Sequence, residues 1–146
     1  MDNLLKGVFQ GPSWCTLCNQ HPESIGHLLD LCHFAGEIWD TATKVCNRSH
    51  RVHDNVVSTI EQWPSSPFRN NLLNYLRDHI PGSLVWNLWK ERNRHIFEDK
   101  KRTCYQIWQN IRLHIQEVLC KKHWDPNDLP TLPEERRILF RWDLNL

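Results

Sequence analysis

Apolar residues recur three or four positions apart along much of the chain, the spacing that places them on one face of an α-helix. Such stripes lie within residues 71–80, 83–97 and 103–121, and residues 24–46 also have a helical pattern, in two pieces. Their core-facing members are Leu72, Leu73, Leu76 and Ile80, then Leu84, Val85, Leu88, Trp89, Arg92 and Ile96, then Ile107, Trp108, Ile111, Ile115, Val118 and Leu119. No alternating strand pattern extends beyond a few residues, so the pattern predicts a mostly α protein.

Proline and glycine predict where these helices end. Pro64 to Pro67 and the pair Pro81-Gly82 each predict a break, and a third follows from Pro126, Pro130 and Pro133. Pro81 suits an early helical position with Ser83 as a possible cap, so the second stripe should begin a new helix there. Thr103 is a plausible N-cap for the third stripe.

The charge balance and the apolar runs of the sequence exclude several classes of protein. The 146 residues carry 18 Lys and Arg against 17 Asp and Glu, and this near-neutral total argues against a wholly polybasic protein. The N-terminus MDNLLKGVFQ lacks the pattern of a secretory signal, and no apolar run approaches the ~18 residues of a membrane span. We therefore expect a nuclear or cytoplasmic location, no membrane association, and six cysteines that are reduced or bind metal.

The sharpest chemical feature is a cysteine and histidine pattern near the N-terminus. Cys15, Cys18, His27 and Cys32 follow the spacing C-x2-C-x8-H-x4-C. Two cysteines in one tight turn can hold one ion, and three thiolates with one imidazole form a closed tetrahedral zinc site without a position for a catalytic water. His21 is a rival third ligand, and further candidates lie close by: His33, Cys46, His50 and His53. Free buried thiols with a core histidine are the alternative.

With zinc as a structural cofactor, the predicted architecture is a small zinc-knuckle-like N-terminal segment followed by a helical bundle. Residues 1–50 would form the zinc-binding segment. Residues 51–146 would form a helical region packed on it, in one compact domain. Zinc binding in small sites supplies about 10–16 kcal/mol of folding free energy, so the metal should decide whether the N-terminal segment folds.

Residues 14–39, WCTLCNQHPESIGHLLDLCHFAGEIW, resemble the zinc-binding region near the C-terminus of reverse transcriptases from plant LINE-type (non-LTR) retrotransposons. The matching positions are Cys15, Cys18, Glu23, Ser24, His27, Leu28, Leu29, Cys32, Ala35 and Trp39. The segment VWNLWKERNRHIFE at 85–98 is similar to the Trp-x-x-Trp-Lys-x-Arg-Asn segment that often follows. The resemblance spans residues 3–98 and implies zinc ligation by Cys15, Cys18, His27 and Cys32.

The chain lacks the enzymatic motifs of a reverse transcriptase. It has no Tyr-x-Asp-Asp polymerase motif, no recognisable RNase H carboxylate cluster, no Gly-rich phosphate loop and no local signature of a nucleophile with its base. We therefore predict a detached or domesticated C-terminal piece of a retroelement, without catalytic residues and without enzymatic activity.

Positive charge is concentrated in residues 90–123, which carry nine Lys or Arg and four Asp or Glu. Antiparallel packing of the last two stripes would separate Lys121 and Lys122 from the main cluster. That cluster is the predicted phosphate-binding surface for RNA or DNA, and its members are Lys90, Arg92, Arg94, Lys100, Lys101 and Arg102. A solvated helix face is the alternative.

The eight tryptophans divide by their helical position. Trp39, Trp89 and Trp108 fall on apolar faces and should be core. Trp14 and Trp86 lie off the main stripes and are candidates for stacking on an unpaired base, although packing is the simpler role.

A different class of function is a domesticated protein-interaction or regulatory module that keeps the zinc fold as a scaffold. Its sequence support is the C-terminal tail, residues 142–146, which reads WDLNL. The tail resembles the short Asp-Leu-Asn repression motif that recruits corepressors in plant transcription factors. A protein partner bound through this tail is therefore the competing expectation.

Overall fold

The structure, a computed structural model, describes residues 14–45 and 70–142. Over these ranges it contains four α-helices and no named strand: α1 (His33–Val45), α2 (Asn71–Phe97), α3 (Cys104–Lys121) and α4 (Pro133–Arg141). A π-helical turn at His27–Leu31 precedes α1, and a 3₁₀ turn at Pro126–Asp128 precedes α4. The prediction of a mostly α protein, with a cysteine and histidine cluster ahead of a helical bundle, is confirmed.

The predicted helix break at Pro81-Gly82 is wrong, because α2 continues through both residues. An interior proline removes one backbone hydrogen bond and crowds the carbonyl four residues earlier, at a cost of about 3 kcal/mol. Packing outweighs that cost, since the fully buried side chains step in fours across the proline: Leu76, Ile80, Leu84 and Leu88. Ser83 is therefore a buried helical residue and not a cap.

Helices α2 and α3 pack as an antiparallel hairpin, which contributes about half of the buried core residues. Thr103 is the N-cap of α3, as predicted, and it forms a capping box with Gln106. Two polar contacts fix the register of the hairpin. Ser83 Oγ lies 2.7 Å from His114 Nδ1, and the backbone N–H of Arg102 donates to Glu91 Oε2 over 2.8 Å.

Helix α4 begins at the last proline of the predicted third break, where Pro133 occupies the first helical turn. Its apolar side buries Ile138 and Leu139, and Trp142 at its end is fully buried. The Trp142 ring lies 5.0 Å from that of Trp108, centroid to centroid. The first residue of the C-terminal tail is thus a core residue, and residues 143–146 lie outside the described part of the chain.

Buried apolar side chains from both described ranges form a single cluster. Trp39 and Trp108 belong to it, as predicted, whereas Trp89 is 36% exposed and does not. The predicted break at Pro64–Pro67 falls outside the described residues, and the division at residue 50 stays a prediction. None of the described helices is long and apolar enough to span a membrane.

Candidate metal centre and basic groove

The first two candidate ligands lie in a tight loop closed by backbone hydrogen bonds. The Cys15 N–H donates to the His21 carbonyl and the Asn19 N–H donates to the Cys15 carbonyl, each over 2.8 Å. Asn19 has φ of 58°, a left-handed conformation that asparagine tolerates better than most residues. The chain therefore turns sharply just after Cys18, and both sulfurs point to the inside of one loop.

His27 and Cys32 come from the π-helical turn. Ser24 Oγ accepts from the His27 N–H over 3.1 Å at its start, and the Cys32 N–H donates to the His27 carbonyl over 2.7 Å at its end. In an α-helix, residues five apart are rotated by about 500° and so lie about 140° apart. The i→i+5 bond wraps the same five residues into one wider turn, which brings His27 and Cys32 to the same side.

A buried tryptophan donates a hydrogen bond to the backbone of this turn. Trp39 Nε1 donates to the Leu29 carbonyl over 2.8 Å, and the Trp39 side chain is fully buried. Trp39 therefore holds the ligand-bearing turn against α1 as well as filling the core.

The four ligand atoms lie within 4.8 Å of one another. The sulfurs of Cys15 and Cys32 are 3.8 Å apart, and Cys18 Sγ is 3.3 Å from His27 Nε2. Tetrahedral zinc with bonds of about 2.3 Å to sulfur and 2.0 Å to nitrogen separates two sulfurs by about 3.8 Å and a sulfur from a nitrogen by about 3.5 Å. Both the donor set and the spacing therefore fit one tetrahedral metal ion.

The hydrogen bond between the thiols of Cys15 and Cys32 shifts their two pKa values in opposite directions. The hydrogen bond from Cys32 lowers the pKa of the Cys15 thiol to about 5, and the same contact raises the pKa of Cys32. The opposite directions of the two shifts favour loss of the proton from Cys15 before Cys32. A metal ion bound here would take the place of the shared proton, because thiolates are the metal-binding form.

The structure separates His27 from its rivals. The exposed His21 ring lies 5.0 Å from the His27 ring, centroid to centroid, and His21 is not part of the four-residue group. His33 is exposed, with Nε2 3.8 Å from Glu37 Oε1. Cys46, His50 and His53 lie outside the described residues.

An ion pair that the sequence did not predict joins residues 14–32, here called the metal loop, to α2. Arg92 donates from Nε to Glu23 Oε1 over 2.8 Å and from Nη2 to Glu23 Oε2 over 3.2 Å. Both side chains are almost fully buried. The assignment of Arg92 to the exposed basic surface is therefore corrected: its guanidinium is committed to Glu23 and cannot meet a phosphate. The contact joins the two segments that carry the family resemblance.

A second buried carboxylate, Glu91, connects the metal loop to the start of α3. It accepts from Arg94 Nη1, from His95 Nε2 over 2.6 Å and from the Arg102 N–H over 2.8 Å. His95 Nδ1 lies 2.9 Å from the carbonyl of Thr16, between Cys15 and Cys18. His95, which lies on α2, thus connects this helix to the metal loop. The sequence signals of this network were the i, i+3 spacing of Glu91 and Arg94 and the i, i+4 spacing of Glu91 and His95.

A groove of about 410 Å³ runs between α2 and α3. It brings together three of the predicted phosphate-binding residues, Lys90, Arg94 and Arg102, and the predicted stacking residue Trp86. Five further residues line it, and none was predicted for a site: Asn87, Asn110, Leu113, His114 and Glu117. Lys100 and Lys101 are exposed beside Arg102, in the connection between α2 and α3, but do not line the groove.

The remaining basic and aromatic candidates lie elsewhere. Trp14 is 54% exposed in the metal loop and is not part of the groove. Lys121 pairs with Glu117 over 2.8 Å, and Lys122 lies 4.2 Å from the Tyr75 ring centroid. The two lysines at the end of α3 therefore have local partners. Arg94 also has them, since it pairs with Glu91 and its Nε lies 3.9 Å from Glu98 Oε2. Lys90 and Arg102 are therefore the basic residues of the groove that remain for a phosphate.

No protein-family model matches the chain, and no curated protein or solved structure matches it either. The metal centre and the groove are therefore the features from which a function can be inferred.

Proposed function

We propose that the protein is a non-catalytic, zinc-stabilised module that binds RNA or DNA, mainly through phosphate contacts. The observation that carries the proposal is the groove, which gathers Lys90, Arg94 and Arg102 with the exposed ring of Trp86. Nucleic-acid-binding surfaces combine cations for the backbone with aromatic rings for the bases.

Zinc is the proposed ion because three cysteines and one histidine are a donor set typical of structural zinc sites. Four protein ligands fill a tetrahedral shell, which supports a structural role over a catalytic one. Two contacts would carry the effect of the metal into the bundle: the Glu23–Arg92 pair and the bond from His95 to the Thr16 carbonyl.

The proposed ancestor is the C-terminal zinc-binding region of a plant LINE-type reverse transcriptase. The support is the resemblance of residues 14–39 and 85–98, two segments that meet through Glu23 and Arg92. A nuclear or cytoplasmic location is part of this proposal.

Salt dependence tests the phosphate contacts directly. Each phosphate neutralised contributes about −0.7 to the slope of log K against log salt for a single strand and about −0.9 for a duplex. We expect the double variant K90A/R102A to bind a fluorescein-labelled 12-nucleotide RNA more weakly at 50 mM salt and to flatten the slope by about 1.4. Both side chains are exposed or line the groove, so the variant should fold.

Arg136→Ala is the matched control, because Arg136 is an exposed arginine on α4 outside the groove. The Arg136→Ala variant should show the same slope of log K against log salt as the parent protein. Absence of binding by the parent protein to RNA and DNA at 50 mM salt would refute the proposed function. An equal loss in the Arg136 variant would refute the groove as its site.

A further inference from the structure

The groove has two chemically different ends, which the hairpin register defines. The Ser83–His114 contact places Trp86, His114 and Glu117 at one end, and the Glu91–Arg102 contact places Arg94 and Arg102 at the other. Lys90 and Asn110 lie between them. Trp86 and Arg94 are eight residues apart on α2, so the groove is about 12 Å long.

The charged residues that line the groove indicate where in it a phosphate would bind. Glu117 accepts a hydrogen bond from Lys121 that lowers the pKa of its carboxyl group, and this ammonium group, 2.8 Å away, balances the charge of the carboxylate. Arg94 is likewise paired with Glu91. Lys90 and Arg102 are therefore the cations of the groove that a phosphate would meet. The Trp86 end instead offers an indole ring, the exposed side chain of Leu113 and the imidazole of His114.

Trp86 is available to a ligand. Its side chain is 54% exposed, and the ammonium of Lys90 lies 6.0 Å from its ring centroid. A base stacked on the indole would therefore have a cation next to it for the phosphate of the same nucleotide. In a duplex the faces of the bases are covered by neighbouring bases and only their edges are accessible in the grooves. Only an unpaired base can offer its face to Trp86.

We propose that the groove selects single-stranded nucleic acid over duplex, with one unpaired base stacked on Trp86 and the adjoining backbone held by Lys90 and Arg102. This inference rests on the proposed function and adds the strandedness of the ligand and the position of the base. RNA and DNA share the chemistry it needs, so both are included in the test.

The experiment measures anisotropy at 50 mM salt with fluorescein-labelled 12-nucleotide oligouridylate, oligothymidylate and a mixed-sequence 12-base-pair duplex. We expect both single strands to bind at least tenfold more tightly than the duplex. Trp86→Ala should weaken single-strand binding by about 5- to 150-fold, which corresponds to about 1–3 kcal/mol for one stacked base. Duplex binding should change less than twofold.

Two variants control for the loss of an exposed aromatic residue. Trp86→Phe keeps a stacking ring and should retain most of the single-strand affinity. Tyr105→Ala removes a ring that is 70% exposed at the start of α3, outside the groove, and should bind like the parent protein. Circular dichroism at the temperature of the assay checks that each variant is folded.

The outcomes separate the two proposals. Duplex binding as tight as single-strand binding, or Trp86→Ala binding like the parent protein, would overturn the inference and leave phosphate binding in place. Failure of all three probes to bind would refute both proposals.

Discussion

At the residue scale, the burial of a charged pair is the main feature that sequence patterns did not predict. Glu23 and Arg92 are 69 positions apart in the chain, and no sequence motif indicates that they form an ion pair. Helical periodicity put Arg92 on an apolar face, which was correct, but its charge favoured an exposed role. Only the folded arrangement of the metal loop against α2 reveals its partner.

Removal of one member of this pair should be strongly destabilising. Arg92→Ala leaves the Glu23 carboxylate buried without its partner, and we expect a loss of about 3–5 kcal/mol in the free energy of unfolding, measured by urea denaturation. The double variant E23Q/R92M removes both charges and should recover most of that loss. A double variant as unstable as Arg92→Ala would contradict the assignment of a buried pair.

The two described cysteines outside the metal centre should differ in reactivity. Burial and the neighbouring Glu37 carboxylate raise the pKa of Cys104 to about 12, whereas Cys120 is exposed. The thiolate is the reactive form, so Cys104 should react slowly at pH 8. Because its pKa is raised, labelling of Cys104 should increase about tenfold per pH unit between pH 8 and 10.

Iodoacetamide labelling followed by peptide mass spectrometry measures both rates on the folded, metal-loaded protein. Cys120 should be labelled first at pH 8. Equal rates at the two cysteines would contradict the burial of Cys104.

At the element scale, α2 shows how much of a helix the spacing of apolar residues can predict. The periodicity predicted both halves of this helix, and Thr103 marked the start of α3. The break at Pro81-Gly82 was wrong because the buried residues keep one register across the proline, a signal that was present in the four-residue steps. The π-helical turn at His27–Leu31 could not be predicted, because its wider geometry depends on tertiary contacts such as that of Trp39.

Gly82→Ala tests the continuous helix. Gly82 is an exposed interior position of α2, and a Cβ atom there would have no heavy atom within 4 Å. Alanine in a helix interior is favoured over glycine by about 0.5–1 kcal/mol, so the variant should unfold at a higher urea concentration. Unchanged or lower stability would indicate that the helix is interrupted at this point.

At the scale of the whole molecule, two polar contacts join the metal centre to the bundle in addition to the shared apolar core: Glu23 pairs with Arg92, and Thr16 accepts from His95. His95 also contacts Glu91, which holds Arg94 and the backbone of Arg102 at the groove. These contacts could not be read from the sequence, since they depend on how the loop docks. The four ligands themselves could be, because their spacing is local to residues 15–32.

Metal removal should therefore unfold the N-terminal segment first. After treatment with a chelator, we expect hydrogen exchange to become fast in residues 14–45, because the loop loses the ion that joins its two ligand pairs. The α2–α3 hairpin keeps the apolar contacts between its own two helices and should retain more of its protection. Equal loss of protection in the hairpin and the loop would contradict this order, and unchanged protection throughout would contradict a structural metal.

The central claim is that Cys15, Cys18, His27 and Cys32 close around a single zinc ion. Elemental analysis of the purified chain, by mass spectrometry of the metals after extensive dialysis, tests it most directly. We predict one zinc per chain in the parent protein and in His21→Ala, and a loss of at least tenfold in Cys18→Ser. A parent protein without bound metal, or a Cys18→Ser variant that keeps a full equivalent of zinc, would contradict the claim.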